Sequence, residues 1–427
     1  MNHDDLIDPW IGPGDKGFPQ TLERMRASEI ADRGWNVLAG DLPLPLAVLR
    51  RDELEHNLRW MQSFAQGQGV DLAPHGKTTM SPQLFHRQLD AGAWGLTFAT
   101  VAQVVMGVAA GARRCLIANQ IVDAADLSAL AALRERHADL RVMFLVDTLE
   151  QVVLIDRWHK SRSSVAPFEV LLEIGVRGVR TGCREVDEAM QVAAAVNASP
   201  ALRLVGVECY EGLGVTGRTE DDAPRTASLM NRVEEVALRC DAMKYFETAE
   251  VIVSAGGSAV FDLVAGRLKP SLLRPVRGLL RSGCYIAHDH GFYQRNVSSV
   301  NARLGCTDGL RSALEVWALV QSCPEPGLAI LAAGKRDLSF DLDLPVPVWF
   351  ARRGEAVPQP APAAWRVSGL NDQHAYLRWD PESTDGPQVG DRVGLGISHP
   401  CTTFDKWRWM PIVDAQYRVC DAIVTHF

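Results

Sequence analysis

The fold class this chain predicts is α/β plus β: a (β/α)8 TIM barrel with a C-terminal mainly β domain. Three observations predict it. The 427 residues are too many for one small domain but accommodate a barrel of roughly 250 residues plus a second unit. From Asp71 onward, short apolar runs, often β-branched, alternate with amphipathic stretches. After about residue 296 that helical period stops, and strand and turn signals replace it.

Residues 1–43 read as an irregular extension packing on the β domain, with Pro9, Pro13 and Pro19 breaking any long element. Residues 44–50 read as a strand entering a helix from about Arg51 to Gln66, where Leu54, Leu58, Met61 and Phe64 recur at helical spacing. The barrel strands are expected near 71–75, 94–98, 114–118, 141–146, 168–174, 203–208, 249–254 and 276–280. Helices are expected between most of them, at 81–91, 101–110, 124–137, 184–197 and 223–242. The barrel unit is therefore placed at 44–296 and the β domain at 297–427, with the run Pro358–Pro362 as a surface loop.

Composition narrows the function. A net charge of −8, with both signs mixed along the chain, leaves no footprint for nucleic acid or an anionic membrane. No run of 18 apolar residues occurs, so no membrane span is expected. The start of the chain lacks the basic and apolar regions of a signal peptide, and the nine scattered cysteines suit a reducing cytoplasm.

Chemistry in a barrel sits at the C-terminal strand ends. The first strand ends in Pro74-His75-Gly76-Lys77-Thr78-Thr79. A lysine buried there, beside His75, can capture a carbonyl, because burial disfavours the ammonium. Taken alone, the stretch reads equally well as a surface turn. It is not a P-loop, since that motif needs a glycine where Asp71 stands. After the fifth strand, Glu173, Arg177 and Arg180 lie among turn glycines and can bind polar groups or merely pair in water. The sixth ends in Glu208-Cys209-Tyr210-Glu211-Gly212, the seventh in Ser254-Ala255-Gly256-Gly257-Ser258 and the eighth in Arg281-Ser282-Gly283-Cys284-Tyr285. Small residues after a strand leave N–H groups free to cradle a phosphate, or simply form a turn. His288 and His290 are assigned a structural role, because two histidines without a third ligand make a poor metal site. Near the C-terminus, His399 and Cys401 can ligate one ion if they lie on a strand, and this donor pair suits Zn2+. A buried cysteine beside a turn histidine is the competing reading.

In this order, Pro-His-x-Lys-Thr, Arg-Thr-Gly, Tyr-Glu-Gly, Ser-Ala-Gly-Gly-Ser, Arg-x-Gly-x-Tyr and His-x-Cys resemble the D-serine dehydratase and D-threonine aldolase family. Those are pyridoxal phosphate (PLP) enzymes of the alanine racemase-like fold. The resemblance spans about residues 44–427 and implies that Lys77 carries PLP and is the catalytic base. It implies cofactor contacts from His75, Arg180, Tyr210 and Ser254, with Gly256, Gly257, Ser258, Gly283 and Tyr285 at the phosphate. Tyr210, then Arg180, is the first choice for the pyridine nitrogen. The His-x-Cys pair is the metal site of the dehydratases, whereas typical aldolases carry His-x-Asp. The implied function is therefore PLP- and Zn2+-dependent β-elimination of a β-hydroxy D-amino acid such as D-serine, giving a keto acid and ammonia. D-Threonine and 3-hydroxyaspartate are further candidate substrates. Retro-aldol cleavage to glycine and an aldehyde is the alternative; a PLP-binding protein without turnover would not need His399 and Cys401. A homodimer is expected. One departure stands out: the family has a histidine two residues after the lysine, and this chain has Thr79.

Overall fold

The computed structural model describes residues 3–162 and 165–427. Eight parallel strands form one sheet: Asp71–Leu72, Leu96–Phe98, Arg114–Gln120, Arg141–Val146, Phe168–Ile174, Leu202–Cys209, Val251–Ala255 and Val276–Leu280. Consecutive strands pair around the ring, and the last pairs with the first through Leu279 opposite Asp71. The remaining gap is closed by a parallel bridge between His75 and Thr97 and by Trp94 N–H to Leu72 O at 2.7 Å. All eight expected strands are present. Inside the ring Ala73, Leu116, Met143, Leu171, Val205 and Ile252 form a separate apolar plug, as filled barrel interiors require.

Helices cover the ring where sequence-coded caps start them. Ser81 Oγ accepts from Leu84 N–H ahead of Pro82–Asp90, and Thr100 caps Val101–Ala109. A helix that the apolar pattern did not announce, Leu149–Lys160, begins with a Thr148/Gln151 capping box. The helical part also runs past residue 296, because Phe292–Leu304 is a helix whose first turn is held by the Asp289 carboxylate.

The second large sheet is antiparallel apart from one parallel pairing, of Trp409–Val413 with Leu46–Arg50, and is built on the long strand Leu314–Glu325. Leu46–Arg50 belongs to it by pairing, with Val48 opposite Glu315, so the chain passes through this sheet before the helix Arg51–Gly67 carries it to the barrel. The proline-rich run is not a plain loop; Gln359–Pro360 forms a short edge strand against Trp349 and Phe350, a place where a missing N–H costs nothing. The strand Trp409–Val413, not foreseen in the sequence, pairs with Val419–Val424. The N-terminal residues lie on this sheet: Trp409 Nε1 donates to Lys16 O at 2.9 Å, and Phe18 packs edge-on against Trp409.

Candidate active site

Lys77 stands in a 3-10 turn, Gly76–Thr78, directly after the first barrel strand. The turn passes so close to the barrel wall that only glycine fits at 76; a Cβ there would lie 2.6 Å from the Phe98 ring and 3.0 Å from Phe85. Lys77 reaches a cavity of about 460 Å3 at the C-terminal mouth of the barrel. His75 lines the same cavity. Its Nδ1 is sealed from solvent without a hydrogen-bond partner. Burial, with the charges of Lys77, Arg281 and Arg180, pushes its pKa well down, so the ring is neutral.

The opposite wall comes from the last three strand ends. Glu211 fastens the seventh turn, accepting from Gly256 N–H at 3.1 Å and Gly257 N–H at 2.7 Å. The N–H groups of both Gly256 and Gly257 are therefore committed to this clamp rather than free for a phosphate. Ser258 and Gly283 line the cavity, and their N–H groups have no acceptor among the described residues. At Gly283 a Cβ would collide with His75 O and Thr78 Oγ1, both at 2.6 Å. Arg281 is buried beneath the cavity, with Nη2 at 2.5 Å from Glu208 and Nη1 at 2.5 Å from Ser254 Oγ. Ser254 thus lies behind the wall and holds Arg281 rather than reaching the cavity. Tyr285 is also behind it: its hydroxyl accepts from Gln88 Nε2 at 3.3 Å. Arg180 stacks over the Tyr210 ring at 4.5 Å, and both line the cavity. Burial pushes Tyr210 up to about 12, which keeps its phenol protonated. Arg177 turns outward to Glu185, and Glu173 is occupied by Thr181 and Gln120.

His399 and Cys401 line the same cavity but not from a strand. Pro400 opens a short helix, Cys401–Phe404, and this bend brings the two side chains together. His399 Nδ1 lies 2.6 Å from Asp341 Oδ2. Burial lowers the His399 pKa, yet hydrogen bonds to Cys401 and Asp341 outweigh it and bring the value to about 9. Cys401 is held well below the ordinary thiol range by hydrogen bonds from Cys284 and His399. Among the described residues no three His, Cys, Asp or Glu side chains surround one ion. A cation on this pair would keep open positions, as a catalytic site does. His288 and His290 stand apart from it; His288 Nδ1 meets Asp289 O and His290 packs on Gly396. Thr79 is buried, and its hydroxyl accepts from Ser81 N–H at 3.4 Å.

The cavity suits PLP. An unpartnered buried nitrogen on His75, two glycines where a Cβ would clash, free N–H groups and the cations Lys77, Arg180 and Arg281 all converge on it. Arg281, Glu208, Cys284 and Asp341 were given no role in the sequence. Arg281 and Cys284 stood inside a recognised motif, whereas Asp341 has no local signal.

Two family models match the chain: "Alanine racemase, N-terminal domain" over residues 49–275 and "Putative serine dehydratase domain" over residues 313–413. The D-threo-3-hydroxyaspartate dehydratase of Delftia sp. (strain HT23) is 31% identical over 384 residues, 85% of this chain and 92% of that protein. The chain belongs to the D-serine dehydratase and D-threonine aldolase family. Within this family of PLP-dependent lyases, the D-threonine aldolase of Arthrobacter sp. is 29% identical over 84% of this chain and 86% of its own length. The crystal structure of D-threonine aldolase from Filomicrobium marinum superposes with a TM-score of 0.77 at 25% identity, covering 92% of this chain and 97% of that one. The barrel with its antiparallel sheet is thus the alanine racemase-like fold.

Proposed function

We propose that this chain eliminates water from a β-hydroxy D-amino acid, D-serine in the first instance, releasing a keto acid and ammonia. The observation that carries the reading is that Lys77 and the His399/Cys401 pair line one cavity. Lys77 would hold PLP, with His75, Arg180 and Tyr210 around it and Ser258 and Gly283 N–H groups at the phosphate. Bound PLP supplies an electron sink for charge at Cα. Lys77 would take the Cα proton from the one face on which it stands, which selects one enantiomer. His399 and Cys401 would hold a divalent ion, Zn2+ by ligand type, which would supply Lewis acidity at the β-hydroxyl. Tyr210 and Arg180 remain the candidates for the pyridine nitrogen, and Arg281 joins them.

A second reading, retro-aldol cleavage to glycine and an aldehyde, is favoured by the Arthrobacter aldolase at 29% identity. Product analysis separates the two. Incubation with D-serine, D-threonine and D-threo-3-hydroxyaspartate should yield keto acid and ammonia; glycine and aldehyde in their place would establish the aldolase.

The same reading assigns PLP to the 44–296 unit and the metal to 297–427. A homodimer is supported by the exposed apolar side chains Phe340, Leu342, Leu344 and Val346, of which Leu342 lines the cavity. Nine unpaired cysteines fit a cytoplasmic protein, and among the described residues no helix is long and apolar enough to cross a membrane.

A further inference from the structure

We propose that Asp341 is the positioning residue of the metal pair, fixing His399 so that its Nε2 faces Cys401, where an incoming ion would displace the Nε2 proton. This rests on the metal-assisted reading above.

Both carboxylate oxygens of Asp341 are engaged: Oδ2 faces His399 Nδ1 at 2.6 Å, and Oδ1 accepts from Thr402 Oγ1 at 2.6 Å. Two anchors fix the carboxylate plane, and with it the imidazole. A histidine that donates from Nδ1 to a carboxylate presents an unprotonated Nε2 to a metal and binds it more firmly. The surrounding loop makes the same bracket. Ser339 Oγ accepts from Ser398 N–H at 3.1 Å and His399 N–H at 3.0 Å, and Ser339 N–H donates to Thr403 Oγ1 at 3.1 Å. Leu342, the next residue after Asp341, lines the cavity. Residues 339–342 therefore both orient the histidine and wall the site, although Asp341 lies 58 residues before His399 in the chain.

The test is a Co2+ titration of the PLP-loaded, metal-stripped protein, read by the thiolate-to-cobalt charge-transfer band and by competition with a chelator. Asp341→Ala should weaken binding by about 10–100-fold, the usual cost of losing such a partner. Asp341→Asn, whose amide oxygen still accepts from Nδ1–H, should recover much of it. Thermal melts identify any variant that fails to fold; where Asp341→Ala does, the asparagine variant decides: affinity a few-fold below wild type, with a variant at an unrelated exposed carboxylate, Glu355→Gln, unchanged, supports the role, and affinity equal to wild type overturns it. Wild-type Co2+ affinity in a folded Asp341→Ala overturns the inference and leaves the metal reading intact. A wild-type protein that gives no charge-transfer band overturns both.

Discussion

The sulfur of Cys284 lies 3.6 Å from that of Cys401, joining the end of the eighth barrel strand to the His399 turn. Thr78 Oγ1, one residue after Lys77, is 3.6 Å from Cys401 Sγ. The lysine turn, the eighth strand end and the metal pair thus meet within one hydrogen-bond network. Hydrogen peroxide should join the two cysteines in metal-stripped protein: two thiols lose their hydrogens, one S–S bond forms and peroxide is reduced to water. Peptide mapping should find a 284–401 crosslink, and added Zn2+ should then restore activity only after dithiothreitol has reduced that bond. A crosslink that is absent, or equal activity loss in Cys284→Ser, would refute this.

Gly283→Ala tests the wall behind the lysine. The added methyl would meet His75 O, a backbone atom that cannot swing aside. Overpacking of this kind costs about 1–3 kcal/mol, and here the yielding part is the Lys77 turn. PLP titration followed by absorbance should show weakened binding, with the fold preserved by circular dichroism. Unchanged PLP affinity would mean that the turn has slack.

The Arg281–Glu208 pair is buried at both ends, with side-chain exposures of 2% and 1%. Removing one partner leaves the other charge uncompensated, a loss of about 3–5 kcal/mol. Denaturant unfolding should show a loss of that size in Glu208→Ala. In Glu208→Gln, which keeps an acceptor for Arg281, the loss should be smaller. Equal stability of all three proteins would show that the pair is not the anchor of the cavity floor.

Acid sensitivity should come from His288 and His290. Burial lowers each from 6.5 to about 4. A depressed histidine pKa gives stability that is complete above the unfolded value and is lost as pH falls through the folded one. The melting temperature should therefore decline from pH 6.5 toward pH 4, less steeply in His290→Gln. Parallel slopes for both proteins would remove the assignment.

Much of this was legible in the chain. Runs such as Phe168–Ile174 and Leu202–Cys209 are mostly apolar and buried along their length, as a covered parallel strand must be. The glycine turns were legible because clashes at 76 and 283 leave glycine no substitute. Less accessible were pairings between distant segments: Arg281 meets Glu208 across 73 residues of the barrel, and Asp341 meets His399 across 58 residues of the β domain. The strand expected around His399 failed for a local reason. Pro400, with φ −58°, is preset for a helix start, and the helix Cys401–Phe404 follows.

The central claim is that Lys77 and the His399/Cys401 pair work on one substrate. The most direct measurement is keto acid formation from D-serine by PLP-loaded protein before chelation, after it, and after Zn2+ is restored. Turnover should vanish on chelation while the cofactor absorbance stays, return with Zn2+ in the wild type, and fail to return in Cys401→Ala. Full turnover by metal-stripped protein, or by Cys401→Ala, would contradict the account.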